Sequence, residues 1–156
     1  VLAGRDDLNS VMHTHTRAGI AVSSMECGLL PMSQHSMHFY NAISYHDYEG
    51  VAVNLDEREM LQRDLGPVNM ALMLKNHGLL TAGLSVSDAF YKLMRLEKSC
   101  QAQVDAMSTG GELHLVPEAV SAHTNSQFKN RGTELGDRGW PGHLRRLDKM
   151  DPSYAH

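Results

Sequence analysis

Hydrophobic positions recur along this 156-residue chain with two periods, and the places where the period changes mark out its elements. Val11–Thr16 is rich in residues that favour a pleated strand. The small apolar run Ala18–Met25 reads as a short helix closed near Gly28, and Pro31 predicts an extended passage over Leu29–Ser33. In Gln34–Asn41, His35 and His38 stand three apart and would share a face of one helical turn, an ordinary place for solvent-facing or capping histidines. Ala42–Val53 carries Ile43, Tyr45, Tyr48 and Val51, with Gly50 as a bend, and predicts one or two strands.

Asn54–Gly66 predicts a helix with Asp56 as its N-cap, an inner face of Met60, Leu61 and Leu65, and a stop at Gly66-Pro67. The unbroken apolar run Asn69–Leu74 is the signature of a strand buried on both faces. It leads through Lys75-Asn76-His77-Gly78 into a returning extended run, Leu79–Thr81. Ser85-Val86-Ser87-Asp88 is a capping box that opens a helix running to about Met107, ahead of Gly110-Gly111. Its expected inner stripe is Val86, Phe90, Leu93, Glu97, Cys100, Val104 and Met107. Beyond Leu113 the chain turns polar: Glu118–Phe128 predicts one more helix, Lys129–Gly142 has no clear period, and His143–Met150 suggests a terminal helix.

Composition narrows the class. Apolar content of 42% beside 21% charged residues is that of a globular protein, and the length suits one domain over residues 1–156. A net charge of −4 gives no electrostatic reason to expect nucleic acid. No stretch approaches the roughly 20 apolar residues of a membrane span. Cys27 and Cys100 could pair, but read rather as reduced core thiols of a cytoplasmic protein. The opening V-L-A-G-R-D-D-L-N-S reads as the tail of a helix and a turn, so an N-terminal portion is expected to be missing.

Candidate chemistry starts with the histidines. Side chains two apart on a strand point to the same face, so His13 and His15 would project side by side with Thr14 opposite. Two neutral imidazoles placed this way can share one metal ion, or can simply be bonded to backbone and water. His77 falls at the end of the buried strand, a common position for a functional side chain on a rigid frame.

V-M-H-T-H-T-R at 11–17, Y-H-D-Y-E-G at 45–50 and K-N-H-G-L-L-T at 75–81, in this order and spacing, resemble the class II aldolase/adducin family through about residue 110. The resemblance implies an α/β fold, a three-layer α/β/α sandwich around a mixed, largely antiparallel sheet. It implies a divalent metal, zinc first with iron or manganese as alternatives, held by His13, His15 and His77. It also implies an aldolase-type lyase acting on a small hydroxy-carbonyl compound, and a homo-oligomer, with a tetramer favoured. The family's glutamate base and phosphate-binding loops lie upstream of the His-x-His strand, so no catalytic base is assigned. A family tyrosine comes from a neighbouring subunit, and Tyr40, Tyr45 and Tyr48 are all open choices. Residues from about 112 to 156 match the family's variable part. Alternatives on the same fold are a non-catalytic adducin-like interaction module and an iron-dependent oxygenase.

Glu97 is the ionisable residue on the long helix's expected inner stripe. A buried carboxylate is costly unless hydrogen-bonded, so at least two bonds to it are expected, from backbone N–H groups, a histidine, Lys75 or Arg17. A metal-ligand histidine as partner would make Glu97 a support for the metal site; any other partner would make it structural, the favoured outcome.

Overall fold

The computed structural model describes residues 1–50 and 57–155. Four strands, β1 (Ser10–Thr14), β2 (Ser44–His46), β3 (Ala71–Leu74) and β4 (Gly78–Gly83), form one sheet in the order β1-β4-β3-β2. β1 and β3 each run antiparallel to β4, while β2 and β3 are parallel, so the sheet is mixed and largely antiparallel. The helices are α1 (Arg17–Ser23), α2 (Glu57–Leu65), α3 (Val86–Ser108), α4 (Glu118–Lys129) and α5 (Glu134–Met150).

The pleat sorts the apolar side chains into two cores. Ala71 and Met73 of β3 and Leu79 of β4 face α1 and α3, where Val22, Leu96 and Cys100 are buried. Leu72 and Leu74, with Leu80 and Ala82, face the other way and meet Leu65 of α2 and Leu8. A strand with apolar residues at every position can be covered on both sides, and the three-layer α/β/α arrangement follows from that pattern. Each fully buried Leu or Met contributes about 1.5–3 kcal/mol, so both layers matter to stability.

Several sequence expectations shift. The histidine strand stops at Thr14, so His15 lies just past its end, and the following helix begins at Arg17. The opening residues form only a short 3-10 turn, Leu2–Gly4. The expected strands over 42–53 reduce to β2; positions 51–53 and the Asp56 cap lie outside the described residues.

Ser85 caps α3 as expected, its hydroxyl accepting from the Asp88 N–H. The inner stripe is met only in part: Cys100 is buried and Leu93 and Val104 pack against the same core, with Ala89, Leu96, Ser99 and Gln103 also buried, whereas Val86 and Met107 are exposed. The reason is that α3 has two partners. One side covers the sheet, and Phe90 turns instead to α5, edge-on to Trp140 at 5.5 Å between ring centres.

α5 is much longer than the expected terminal helix and runs through Pro141. Gly136 seats it against the backbone of Ser87, and Ser87 Oγ donates to Asp137 at 2.6 Å. This docking overrides the local rule that proline stops a helix. Of the two cysteines, both free, Cys100 is buried but Cys27 is exposed, contrary to a core role for both. Burial, with the nearby Glu97 charge, pushes the Cys100 thiol up to about 12.

Candidate metal centre

β1 and β4 set the first histidine. Pairing of His13 with Leu80 in the ladder turns its side chain toward the α2 side of the sheet, the side that Leu80 faces. There the ring bends back so that its Nδ1 lies 2.8 Å from the Leu79 carbonyl oxygen. A carbonyl only accepts, so Nδ1 carries the proton and Nε2 keeps its lone pair. His15 continues the alternation one step past the strand and comes to the same side.

The third histidine arrives on the tight connection between β3 and β4. The His77 N–H donates to Leu74 O at 3.0 Å, closing the turn. Asn76 takes a left-handed backbone with φ of 57°, which asparagine tolerates better than most residues. The turn is tied from both sides: Asn76 N–H donates to Ser23 O, and Lys75 N–H to His46 O at 2.9 Å. Lys75 also pairs with Asp47 at 2.6 Å, a contact that holds its ammonium charged above the ordinary lysine range.

These local choices bring His13, His15 and His77 together. The Nε2 atoms of His13 and His15 are 2.7 Å apart, and those of His15 and His77 are 2.8 Å apart. The three ligand atoms all lie within 4.8 Å of one another. His13 and His15 are exposed and His77 half-buried, so the cluster opens to solvent on one side. Three ring nitrogens converge here, and at least the His13 nitrogen presents a lone pair. A cation fits that donor set. A tetrahedral ion with bonds of about 2.1 Å keeps its donors about 3.4 Å apart, so the rings need only open slightly to admit it. The cluster could therefore hold a divalent ion with a coordination position left over.

Other expected residues fall elsewhere. Glu97 stands on the opposite side of the sheet and touches none of the three histidines. It makes the two hydrogen bonds expected, but from partners not foreseen: the Thr16 hydroxyl, and Gln101 Nε2 at 2.8 Å. Among the tyrosines, Tyr45 accepts from the Leu29 N–H, and Tyr40 faces Glu118. Tyr48 is the one whose ring meets the cluster, edge-on to His77 at 6.4 Å between centres. No spacing in the sequence marks Tyr48 for this place.

His35 and His38 play no part in the cluster. His35 sits at the N-cap of a 3-10 turn, Ser36–Phe39, and contacts Arg95. His38 is not solvent-facing: it stacks on Phe128 with ring centres 3.5 Å apart. It helps line a cavity of about 300 Å³ with Phe39, Met70, Tyr91 and Phe128, and none of the three clustered histidines reaches that cavity. The histidine cluster and this cavity are separate places on the molecule.

Comparison with known proteins agrees with this fold. Residues 1–104 match the family described as the class II aldolase and adducin N-terminal domain. The chain is 44% identical over 154 residues to a candidate class 2 aldolase protein of Pseudomonas aeruginosa, covering 96% of this chain and 59% of that protein. It is 36% identical to rat (Rattus norvegicus) alpha-adducin, again over 96% of this chain but only 22% of that protein. An aldolase II superfamily protein from Pseudomonas syringae superposes with a TM-score of 0.90 at 45% identity, covering 96% of this chain and 60% of that one. An L-fuculose 1-phosphate aldolase from Glaciozyma antarctica gives 0.78 at 26% identity, with 97% and 56% covered. The chain thus spans about three fifths of the length of its bacterial relatives. With the family model matched from residue 1 through the first two thirds of the sequence, the chain belongs to the class II aldolase and adducin family.

Proposed function

We propose that this chain carries the metal centre of an aldolase-type lyase, with zinc held by His13, His15 and His77. The observation that carries the reading is the convergence of the three rings with His13 Nδ1 already engaged by the Leu79 carbonyl, which leaves its Nε2 for a metal. Iron and manganese are the alternative ions, since imidazole suits each of them.

A divalent ion bound there supplies Lewis-acid stabilisation of the negative charge that builds on oxygen when a carbon–carbon bond beside a carbonyl breaks. The residues of the chain do the rest of what is visible. The three histidines come from two tightly tied backbone segments, so little reorganisation is needed when the substrate enters. The open side admits a small hydroxy-carbonyl compound, and the likeness to an L-fuculose 1-phosphate aldolase favours a phosphorylated sugar. The Tyr48 ring borders this side, where it would help to shape what binds. No residue of the described chain is assigned as base. The working form is proposed to be a cytoplasmic homo-oligomer, a tetramer by preference, as the family resemblance implies.

The identity to alpha-adducin favours a second reading, a non-catalytic interaction module that keeps the shape. The two are separated by metal analysis of protein purified without added metal, followed by a retro-aldol screen of phosphorylated and free hydroxy-carbonyl compounds. One ion per chain, lost in His77→Ala, with cleavage of any of these compounds supports the lyase. A chain that takes up no ion supports the interaction module.

A further inference from the structure

His15 stands one residue beyond the end of β1, so its position depends on what holds the chain immediately after it. That residue is Thr16, the N-cap of α1. Its carbonyl accepts from the Ile20 N–H at 2.8 Å, as an N-cap carbonyl should. Its hydroxyl does not cap the helix. Instead it donates to the Glu97 carboxylate, 81 residues away on α3.

The rest of the arrangement serves that one contact. The other Glu97 oxygen is occupied by Gln101 from the next turn of α3, which orients the carboxylate. Gly19 lets α1 approach: a Cβ there would lie 2.7 Å from Thr16 Oγ1 and 2.7 Å from Leu79. Thr16 has extended backbone, with φ −74° and ψ 150°. Neighbouring side chains on an extended chain point to opposite sides. Fixing the Thr16 hydroxyl on the α3 side therefore holds the His15 ring on the other side, where His13 and His77 wait.

We propose that Glu97, acting through Thr16, is the positioning residue that sets where His15 stands in the metal site. This rests on the reading of the histidine cluster as a metal centre. Glu97 touches neither ion nor substrate, and its effect reaches the site through one hydroxyl and one peptide unit. A carboxylate that merely satisfied the packing of α3 could have taken any donor nearby. The donor it takes is covalently joined to a proposed ligand.

The test compares zinc affinity, measured by competition with a chromophoric chelator, across wild type, Thr16→Val, Glu97→Ala, the double variant and Thr16→Ser. Thermal unfolding of each metal-free protein is followed in parallel. Thr16→Val and Glu97→Ala are each expected to weaken zinc binding about 10-fold, the low end for residues supporting a ligand. The double variant should be no weaker than the worse single one, because both break the same link. Thr16→Ser, which keeps the hydroxyl, should stay within about twofold of wild type. Cobalt-loaded Thr16→Val should show an altered visible spectrum, since a misplaced ring changes the ligand field. Unchanged zinc affinity in Thr16→Val and Glu97→Ala, with only the unfolding temperature lowered, would overturn the proposal. Should Thr16→Val fail to fold, Glu97→Ala carries the same comparison. A wild-type chain that takes up no zinc or cobalt ends the metal reading itself, a result distinct from equal affinities among the variants.

Discussion

A Cβ on Gly78 would lie 2.3 Å from the carbonyl oxygen of Thr14, closer than any side chain can come to backbone. Gly78 follows His77 and opens β4, and Thr14 separates His13 from His15, so this contact is where the two histidine-bearing segments close on each other. Only a hydrogen in place of the side chain lets the turn reach the end of β1. Gly78→Ala is expected to force the segments apart, costing about 1–3 kcal/mol of stability as an overpacked contact does. The same shift withdraws His77 from the other two rings. Urea unfolding and zinc titration should both respond; full zinc affinity in a destabilised Gly78→Ala protein would show that the turn can move without the ligand.

Much of the site is legible in the sequence because it is local. The two-residue period of a strand places His13 and His15 on one face, and the apolar run Asn69–Leu74 delivers His77 to a strand end. The mixed sheet follows from the family resemblance and is what the strands form. What is hidden is set by partners distant in sequence. The α3 stripe holds at Leu93, Cys100 and Val104 but not at Phe90, which serves α5 rather than the sheet, and one apolar period cannot announce two partners. Glu97 is rightly expected to need two hydrogen bonds, yet nothing local points to Thr16. Lys129–Gly142 shows no clear period, and only the docking of α5 on α3 shows why the helix begins as early as Glu134 and runs through Pro141.

His38 should make the fold sensitive to acid. Burial first, and then the positive Arg95, lower its pKa from 6.5 to about 3. Between those values the unfolded chain binds a proton that the folded chain refuses, so stability present at pH 7 is lost as the pH falls from about 6.5 toward 3. Allowing for its partial exposure, about 1 kcal/mol should disappear between pH 7 and pH 5. His38→Phe keeps a ring against Phe128 and removes this proton. Its urea midpoint should fall less over the same interval, although His35, also shifted down by burial, retains some slope. Equal losses in both proteins would place the acid sensitivity elsewhere.

Asp64 holds a second buried histidine in place. His46 is 4% exposed, and its Nδ1 lies 2.7 Å from Asp64 Oδ2, while Arg63 Nε donates to the other oxygen at 2.8 Å. Arg63 foremost, and then His46, keep the Asp64 carboxyl below the usual carboxylate range. Asp64→Ala would leave a buried ring nitrogen unbonded, at a cost of about 1–3 kcal/mol. Asp64→Asn, whose amide oxygen can still accept from His46, should recover much of that. The ordering of the two urea midpoints is the check, and an Asn variant as weak as the Ala variant would mean the charge, not the acceptor, is what matters.

Trp140 reports on whether α5 is docked, because it is the chain's single tryptophan and its ring meets Phe90. His143 meets the same Phe90 ring from the next turn, at 4.9 Å between centres. Phe90→Ala removes the surface that both rings rest on. The half-buried contact is expected to be worth about 1–2 kcal/mol, and its loss should expose Trp140 and shift its emission to longer wavelength. Zinc affinity should not change. Phe90 lies seven residues before Glu97 on α3, about 10 Å along the helix axis, and its ring faces α5 rather than α1. Docking of α5 and placement of His15 then use different stretches of the same helix. A Phe90→Ala protein with both red-shifted emission and weakened zinc binding would instead show that α5 holds α3, and through it Glu97, against the sheet.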